Sequence, residues 1–287
     1  MSTMIALFLV FAALVGCAGE TSVNVKNAPP PSPAFTFTVE EERYEETVRD
    51  EDGTVLAVCR YHLPVLRVLL EDGRPLETAS TEEQERALAL TENFNARFSD
   101  WKDNPRTLAE SAKEDRAFRN ESGLESVAYT DDLSCTVYQT EHLISVSGVY
   151  YTYTGGAHPN SILMSWNFDL DAGEFFEPEI LDEDGDLREY VRWALVQQAR
   201  ENAAGMDMAP GEFYWEDYET TLADWSSYAV SFDAGGMTVG FSPYELAAYA
   251  AGPQEFHLTY EQLLPHLGRH GRTLLGLEEE SAGEAAG

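Results

Sequence analysis

Strand-type alternation and helix-type periodicity are mixed along this chain without the regular strand–helix order of a doubly wound sheet. That feature points to an α+β fold, with antiparallel strands and helices packed on one face. Phe35-Thr36-Phe37-Thr38-Val39 alternates as a strand. Residues 55–61 and 64–68 read as two more strands, bounded by the turns Glu51-Asp52-Gly53 and Glu71-Asp72-Gly73. Residues 81–101 read as a helix. Thr81 and Gln84 fit a capping box, and Ala87, Leu90, Phe94, Phe98 and Trp101 recur as one buried stripe. Asn104-Pro105 breaks that helix, and residues 107–119 continue as a second piece. Strands return at 135–138 and 143–153, the latter with a bulge expected near Gly148. Further strands are expected at 161–170, 237–241 and 255–259, and helices at 187–202 and 260–267.

The first residues set the expected location. Positions 4–15 are almost wholly apolar and too short to span a bilayer comfortably, and Leu14-Val15-Gly16-Cys17 closes the run. This reads as a bacterial lipoprotein signal over 1–17 that leaves Cys17 as the lipidated residue. A generic secretory signal or a buried N-terminal helix is the alternative. Residues 18–34, with Pro29-Pro30-Pro31-Ser32-Pro33, form a Pro-rich spacer. An N-terminal α+β domain is expected over 35–125, a C-terminal one over 126–267, and an acidic flexible tail over 268–287. The two domains are free to share an interface or a sheet.

Charge narrows the partners. The chain carries 51 Asp and Glu against 18 Lys and Arg, a formal charge of -33. Such a field repels phosphate backbones, so nucleic-acid binding is excluded as an expectation. A basic partner is attracted, although acidity also serves solubility alone. Besides Cys17 there are two cysteines, Cys59 and Cys135. An oxidising exterior allows them to form a disulfide closing about 75 residues, which stabilises by roughly 4 kcal/mol on a chain-entropy model. Two buried free thiols are the alternative.

His158 stands out for chemistry, on the loop Thr154-Gly155-Gly156-Ala157-His158-Pro159-Asn160 between two strands. No other histidine lies at ligand spacing from it, so no metal and no cofactor is expected. A tight turn in which the imidazole bonds to backbone competes with partner recognition and with catalysis. Asp182-Glu183-Asp184-Gly185-Asp186 resembles half a calcium loop, but the required Gly and Glu positions fall on Leu187 and Trp193. The match therefore fails, and carboxylates capping the next helix are the simpler reading. No nucleophile elbow, zinc-hydrolase motif or phosphate loop is present. The run Tyr150-Tyr151-Thr152-Tyr153 suits either display or sheet packing.

Two blocks carry a family likeness. The 154–160 loop, followed by Asn167-Phe168-Asp169-Leu170-Asp171-Ala172-Gly173-Glu174, resembles the extracytoplasmic C-terminal domain family of the anti-sigma-V factor RsiV. The second block agrees: Phe241-Ser242-Pro243-Tyr244-Glu245-Leu246, continuing to Pro253, then Phe256-His257-Leu258-Thr259-Tyr260. Residues 36–120 resemble the domain that precedes the catalytic domain in the peptidoglycan deacetylase PdaC. The resemblance implies an extracytoplasmic module without a catalytic centre of its own, and in the anti-sigma factor that region binds lysozyme. No polysaccharide-deacetylase motif is present. A non-enzymatic binding module anchored to the bacterial cell membrane is therefore expected, with a lysozyme-like protein or peptidoglycan as partner. Tyr151, Tyr153, Gly155, Gly156, His158, Asn160 and Tyr244 are its candidate ligand-binding residues. The alternative is an envelope hydrolase or deacetylase-associated domain with a site near His158.

Overall fold

The computed structural model describes residues 35–182 and 186–277. The expected signal, Cys17 and the spacer lie outside the described residues, as do Glu183 to Gly185 of the half calcium loop. In chain order the elements begin with β1 (Phe35–Arg49), β2 (Val55–Leu70), α1 (Glu82–Ser99) and α2 (Asn104–Glu121). Then follow β3 (Tyr129–Gln139), β4 (Leu143–Tyr153), β5 (Asn160–Asp169) and β6 (Glu174–Phe176). The third group is α3 (Leu187–Gly205), α4 (Pro210–Phe213), α5 (Tyr218–Thr221), β7 (Ala229–Phe232) and β8 (Gly236–Phe241). The last is β9 (Gln254–Thr259), α6 (Tyr260–Leu263) and α7 (Arg269–Leu274). Strands β1 to β6 form one sheet in sequence order, and β7-β8-β9 form a second. This is an α+β fold whose strand pairs are antiparallel, except that β2 and β3 run parallel.

The parallel pair arises because α1 and α2 intervene between β2 and β3, and a helical crossover returns the chain in the same direction. The segments on either side of the expected boundary at residues 125 and 126 therefore share one sheet through the β2–β3 pair, an arrangement that the sequence left open.

The two strands expected at 55–61 and 64–68 are one strand, β2, that passes through Pro64. The last β2–β3 partners are His62 and Ser134, so Pro64 sits where β2 has only β1 beside it and its missing N–H breaks no ladder. Beyond that point Asn95 of α1 takes the place of a strand. Its amide accepts from Leu66 N–H at 2.8 Å and donates to Leu66 C=O at 3.0 Å.

The same register corrects the disulfide. Cys59 pairs with Asp131, and Cys135 lies four residues further along β3. At about 3.3 Å per residue the two stand about 13 Å apart along the strand, against a limit near 7 Å for a bridge. Both are free thiols. Burial raises both thiols, Cys135 to about 12, so neither is a reactive thiolate at neutral pH.

Two cores flank the main sheet, and the alternation of β4 shows how. Leu143 enters one core and its neighbour Ile144 the other. On the Ile144 side, Leu90, Phe94 and Phe98 of α1 pack with Tyr61, Leu133, Val146 and Phe168. The expected stripe is thus buried as far as Phe98, and Trp101 follows in a short 3-10 turn with its ring edge-on to Tyr61 and Tyr150. Thr81 caps α1, but Gln84 reaches Ser80 rather than Thr81, so the capping box closes one residue early. On the Leu143 side, Val191, Leu195 and Ala199 of α3 pack against Met237, Val239 and Phe241 of β8.

Two further expectations change. No bulge interrupts β4 at Gly148, whose partners Cys135 and Met164 lie in continuous register. The glycine is there for space: a Cβ would come within 2.9 Å of the Trp166 ring. The expected tail enters the core over its first part, because α7 buries Gly271 and Leu274, with Leu275 beside them. Residues 278–287 of that tail lie outside the described residues.

Where the β1–β2 turn meets α2, Arg116 binds Asp50 and Asp52, and Lys113 binds Asp50 at 3.1 Å. The Glu51 backbone N–H and then Lys113 lower the Asp50 carboxyl, and Arg116 and then the Thr54 N–H lower that of Asp52. A depressed folded-state pKa contributes stability above the unfolded carboxylate range and loses it as pH falls through the folded value. Arg116→Gln is expected to flatten the acid side of the melting temperature against pH, while leaving the profile above neutrality parallel to wild type.

Candidate functional site

The end of β8 and the β4–β5 loop meet at one surface. Phe241 is buried, and the chain then turns out of the sheet. Ser242 fixes the exit, its hydroxyl accepting from the β5 backbone N–H of Leu163 at 3.1 Å. The Ser242 N–H donates to Glu245 Oε2 at 2.5 Å, which closes a tight turn around Pro243 and Tyr244. Tyr244 takes φ of 75°, in the left-handed region. For a bulky side chain this costs about 1–2 kcal/mol.

Neighbouring bonds hold that conformation. Trp215 Nε1–H donates to Tyr244 C=O, and the Trp215 backbone N–H to Leu246 C=O, both at 3.0 Å. A β-bridge joins Tyr214 to Ala247. The result is a tyrosine 53% exposed, on a backbone fixed from two sides.

His158 comes to this tyrosine from the loop. Its Nδ1 lies 2.9 Å from Pro159 C=O and its Nε2 3.2 Å from the Tyr244 hydroxyl. A carbonyl only accepts, so Nδ1 carries the proton, and in the neutral ring Nε2 accepts from Tyr244. The Tyr249 ring stacks on the imidazole at 3.8 Å between centroids and 21° between planes. The Tyr249 hydroxyl donates to Pro159 C=O at 2.8 Å, and the rings of Tyr244 and Tyr249 lie 5.4 Å apart.

The loop is built by its glycines. Gly155 has φ of 85°, and its carbonyl accepts from Arg119 at 3.2 Å. A Cβ there would lie 2.8 Å from the same guanidinium. The Tyr153 hydroxyl donates to Gly156 C=O at 3.2 Å. Tyr153, Gly155 and Gly156 therefore shape the platform that carries His158. Tyr151 is half-buried in β4 between Asp132 and Ser161, and Asn160 is exposed at the start of β5 opposite Thr152.

The sequence reading brought His158 and Tyr244 into one candidate set, and the structure brings them into contact. It did not single out Tyr249 or Trp215. Tyr249 lies within the second block; Trp215 carries no local signal, because its role depends on the bridge between Tyr214 and Ala247.

Both imidazole nitrogens are committed, one to backbone and one to a phenol. Among the described residues no serine, cysteine or carboxylate hydrogen-bonds to His158, so no nucleophile–base pair is assembled there. No group of three or more His, Cys, Asp or Glu suited to a metal occurs among the described residues. Asp182 instead accepts from the Arg188 N–H in the first turn of α3, the capping role open to it from the sequence, and Asp186 bonds His266. What the site offers is contact: stacked rings, hydroxyls and a pre-formed backbone. Among the described residues no helix is long and apolar enough to cross a membrane.

A family model described as a protein of unknown function, DUF3298, matches residues 174–261. That span runs from β6 into α6 and includes Tyr244 and Tyr249, whereas His158 lies before it. A crystal structure of a DUF3298-family protein from Bacteroides fragilis has a TM-score of 0.55 at 16% identity, covering 85% of this chain and 98% of that one. The two share a fold. A DUF3298-family protein from Pseudomonas aeruginosa aligns with a TM-score of 0.46 at 17% identity, over 82% of this chain and 95% of its own. No curated protein matches the chain in sequence.

Proposed function

We propose that this chain is a non-enzymatic binding module outside the cytoplasm, held to the cell membrane through Cys17, whose His158–Tyr244–Tyr249 surface docks a basic protein. A lysozyme-like protein is the specific candidate. The observation that carries this reading is Tyr244: an exposed aromatic on a left-handed backbone, clamped by Trp215, hydrogen-bonded to His158 and tilted against the Tyr249 ring. Exposed aromatics with little conformational freedom to lose make efficient contact anchors. A strained backbone held in place by its surroundings is a feature of binding sites. The charge of -33 steers a basic partner toward the molecule.

Titrating hen-type lysozyme into the protein by calorimetry at physiological salt tests this. Tyr244→Ala is expected to weaken the complex by about 2 kcal/mol, and His158→Ala by about 1 kcal/mol. Heat that vanishes between low and physiological salt would mean charge attraction without recognition.

Tyr244→Gly separates folding from function. Glycine adopts positive φ without penalty, so the variant is expected to be at least as stable as wild type, by up to about 1 kcal/mol, while losing as much affinity as Tyr244→Ala. Chemical denaturation read beside calorimetry checks both halves. A variant that loses stability and affinity together would show that Tyr244 serves packing.

A further inference from the structure

The outer face of α3 holds a second cluster of side chains that the His158 surface does not use. Val191, Leu195 and Ala199 face the core, which leaves Arg192, Trp193 and Arg200 on the outside. Trp193 is 58% exposed, more than any other tryptophan among the described residues. It borders a groove of about 400 Å³, lined also by Glu189, Arg192, Gln197, Arg200 and Glu219. That volume lies within the range of small-ligand sites.

The partners within the groove divide into two sets. Arg200 binds Glu219 at 2.9 Å, and the Tyr218 hydroxyl donates to the same carboxylate oxygen at 3.0 Å, so one wall is fixed. Arg192, Gln197 and the Trp193 indole N–H make no hydrogen bond or ion pair among the described residues. Arg192 lies close enough to Glu219 to favour its charged form, and the Trp193 ring meets Tyr190 at 5.9 Å between centroids, so donors with hydrogen-bonding capacity to spare and an exposed indole line one groove.

These groups are complementary to one chemistry. A sugar ring offers a flat C–H face to an indole and hydroxyls to an amide and an N–H. A guanidinium takes a carboxylate bidentately. We propose that the groove on α3 binds a carboxylate-bearing saccharide, its ring lying on Trp193 and its carboxylate on Arg192. Gln197 and the Trp193 N–H donate to ring substituents, and Glu189 accepts from a hydroxyl. The assignment does not depend on the protein partner proposed for the His158 surface. It takes from the envelope reading only its choice of probe.

Soluble peptidoglycan fragments, which carry a carboxylate on the lactyl group or, where a peptide is joined there by an amide bond, on the peptide, and uncharged N-acetylglucosamine oligomers are the two probes. Each is titrated into the purified protein with calorimetry and tryptophan fluorescence as readouts. The fragments are expected to bind saturably and to quench the indole emission. Trp193→Ala is expected to weaken them at least about tenfold, and Trp193→Phe less, since a phenyl ring keeps part of the stacking face. Arg192→Gln is expected to weaken the fragments about tenfold and leave the neutral oligomers unchanged. These side chains are exposed, so the variants fold, and Tyr244→Ala is expected to leave fragment binding intact. Absence of saturable fragment binding, or binding indifferent to both Trp193→Ala and Arg192→Gln, would overturn the assignment. Equal loss of the charged and neutral probes in Arg192→Gln would overturn the carboxylate.

Discussion

Phe94→Ala is expected to lower the free energy of unfolding by about 3–5 kcal/mol, among the largest single-residue effects in the chain. Phe94 is fully buried at the centre of an aromatic cluster. Its ring lies 5.3 Å from Phe98, 5.4 Å from Phe168 and 5.7 Å from Phe175. Those partners come from α1, β5 and β6, so the cavity would open where the helix meets the far half of the sheet. The surrounding rings are themselves packed edge-to-face, Phe98 on Trp166 and Phe168 on Phe175, and none can swing into the space without breaking another contact. Chemical denaturation monitored by circular dichroism reads this directly. Phe118→Ala, at an exposed phenylalanine on α2, is expected to change stability by less than about 0.5 kcal/mol and serves as the control.

Asn167→Leu is expected to cost about 2–4 kcal/mol, for a different reason. β7 is an edge strand of the second sheet, and its outward backbone groups meet side chains of the first. Asn167 Nδ2 donates to Val230 C=O at 2.9 Å, and the Phe232 N–H donates to Ser145 Oγ at 2.8 Å. The Ser145 hydroxyl in turn donates to Asn167 Oδ1 at 2.8 Å. Both side chains are buried, Ser145 at 1% and Asn167 at 3% exposure. Leucine is close in size to asparagine, so the loss comes from stranded polar groups rather than from a cavity. The Ser145→Ala and Asn167→Leu effects are expected to be non-additive, because each removes the other's partner. The strand pair β7–β8 also carries the chain to Ser242 and Tyr244. Lysozyme affinity is therefore expected to fall in Asn167→Leu although that side chain is buried. Equal affinity in the folded variant would show that the second sheet does not position the site.

The parts of the fold that local physics controls were legible before the structure. The stripe from Ala87 to Phe98 has helical spacing, the turns at Gly53 and Gly73 carry positive φ, and Leu187 opens an amphipathic helix. The parts set by distant partners were not. Pro64 argues against a continuous strand unless it is known that β3 ends at Ser134 and that Asn95 takes over the open edge. Gly148 looks like a bulge until Trp166 is seen against it. Cys59 and Cys135 invite a bridge until their strands are placed in register. Residues 268–277 look polar, yet Leu274 and Leu275 suffice to dock α7. In the site, His158 and Tyr244 could be named from loop chemistry and family likeness. Their contact, and the support from Trp215, arise only when β5 and β8 are brought together through Leu163 and Ser242.

The most direct test of the account is calorimetry of hen-type lysozyme with the wild-type protein and with Tyr244→Ala at physiological salt. The account predicts a saturable complex of micromolar or tighter affinity for wild type, weakened at least about tenfold by the single substitution. No saturable heat with the wild-type protein, or a complex that Tyr244→Ala leaves unchanged, would contradict it.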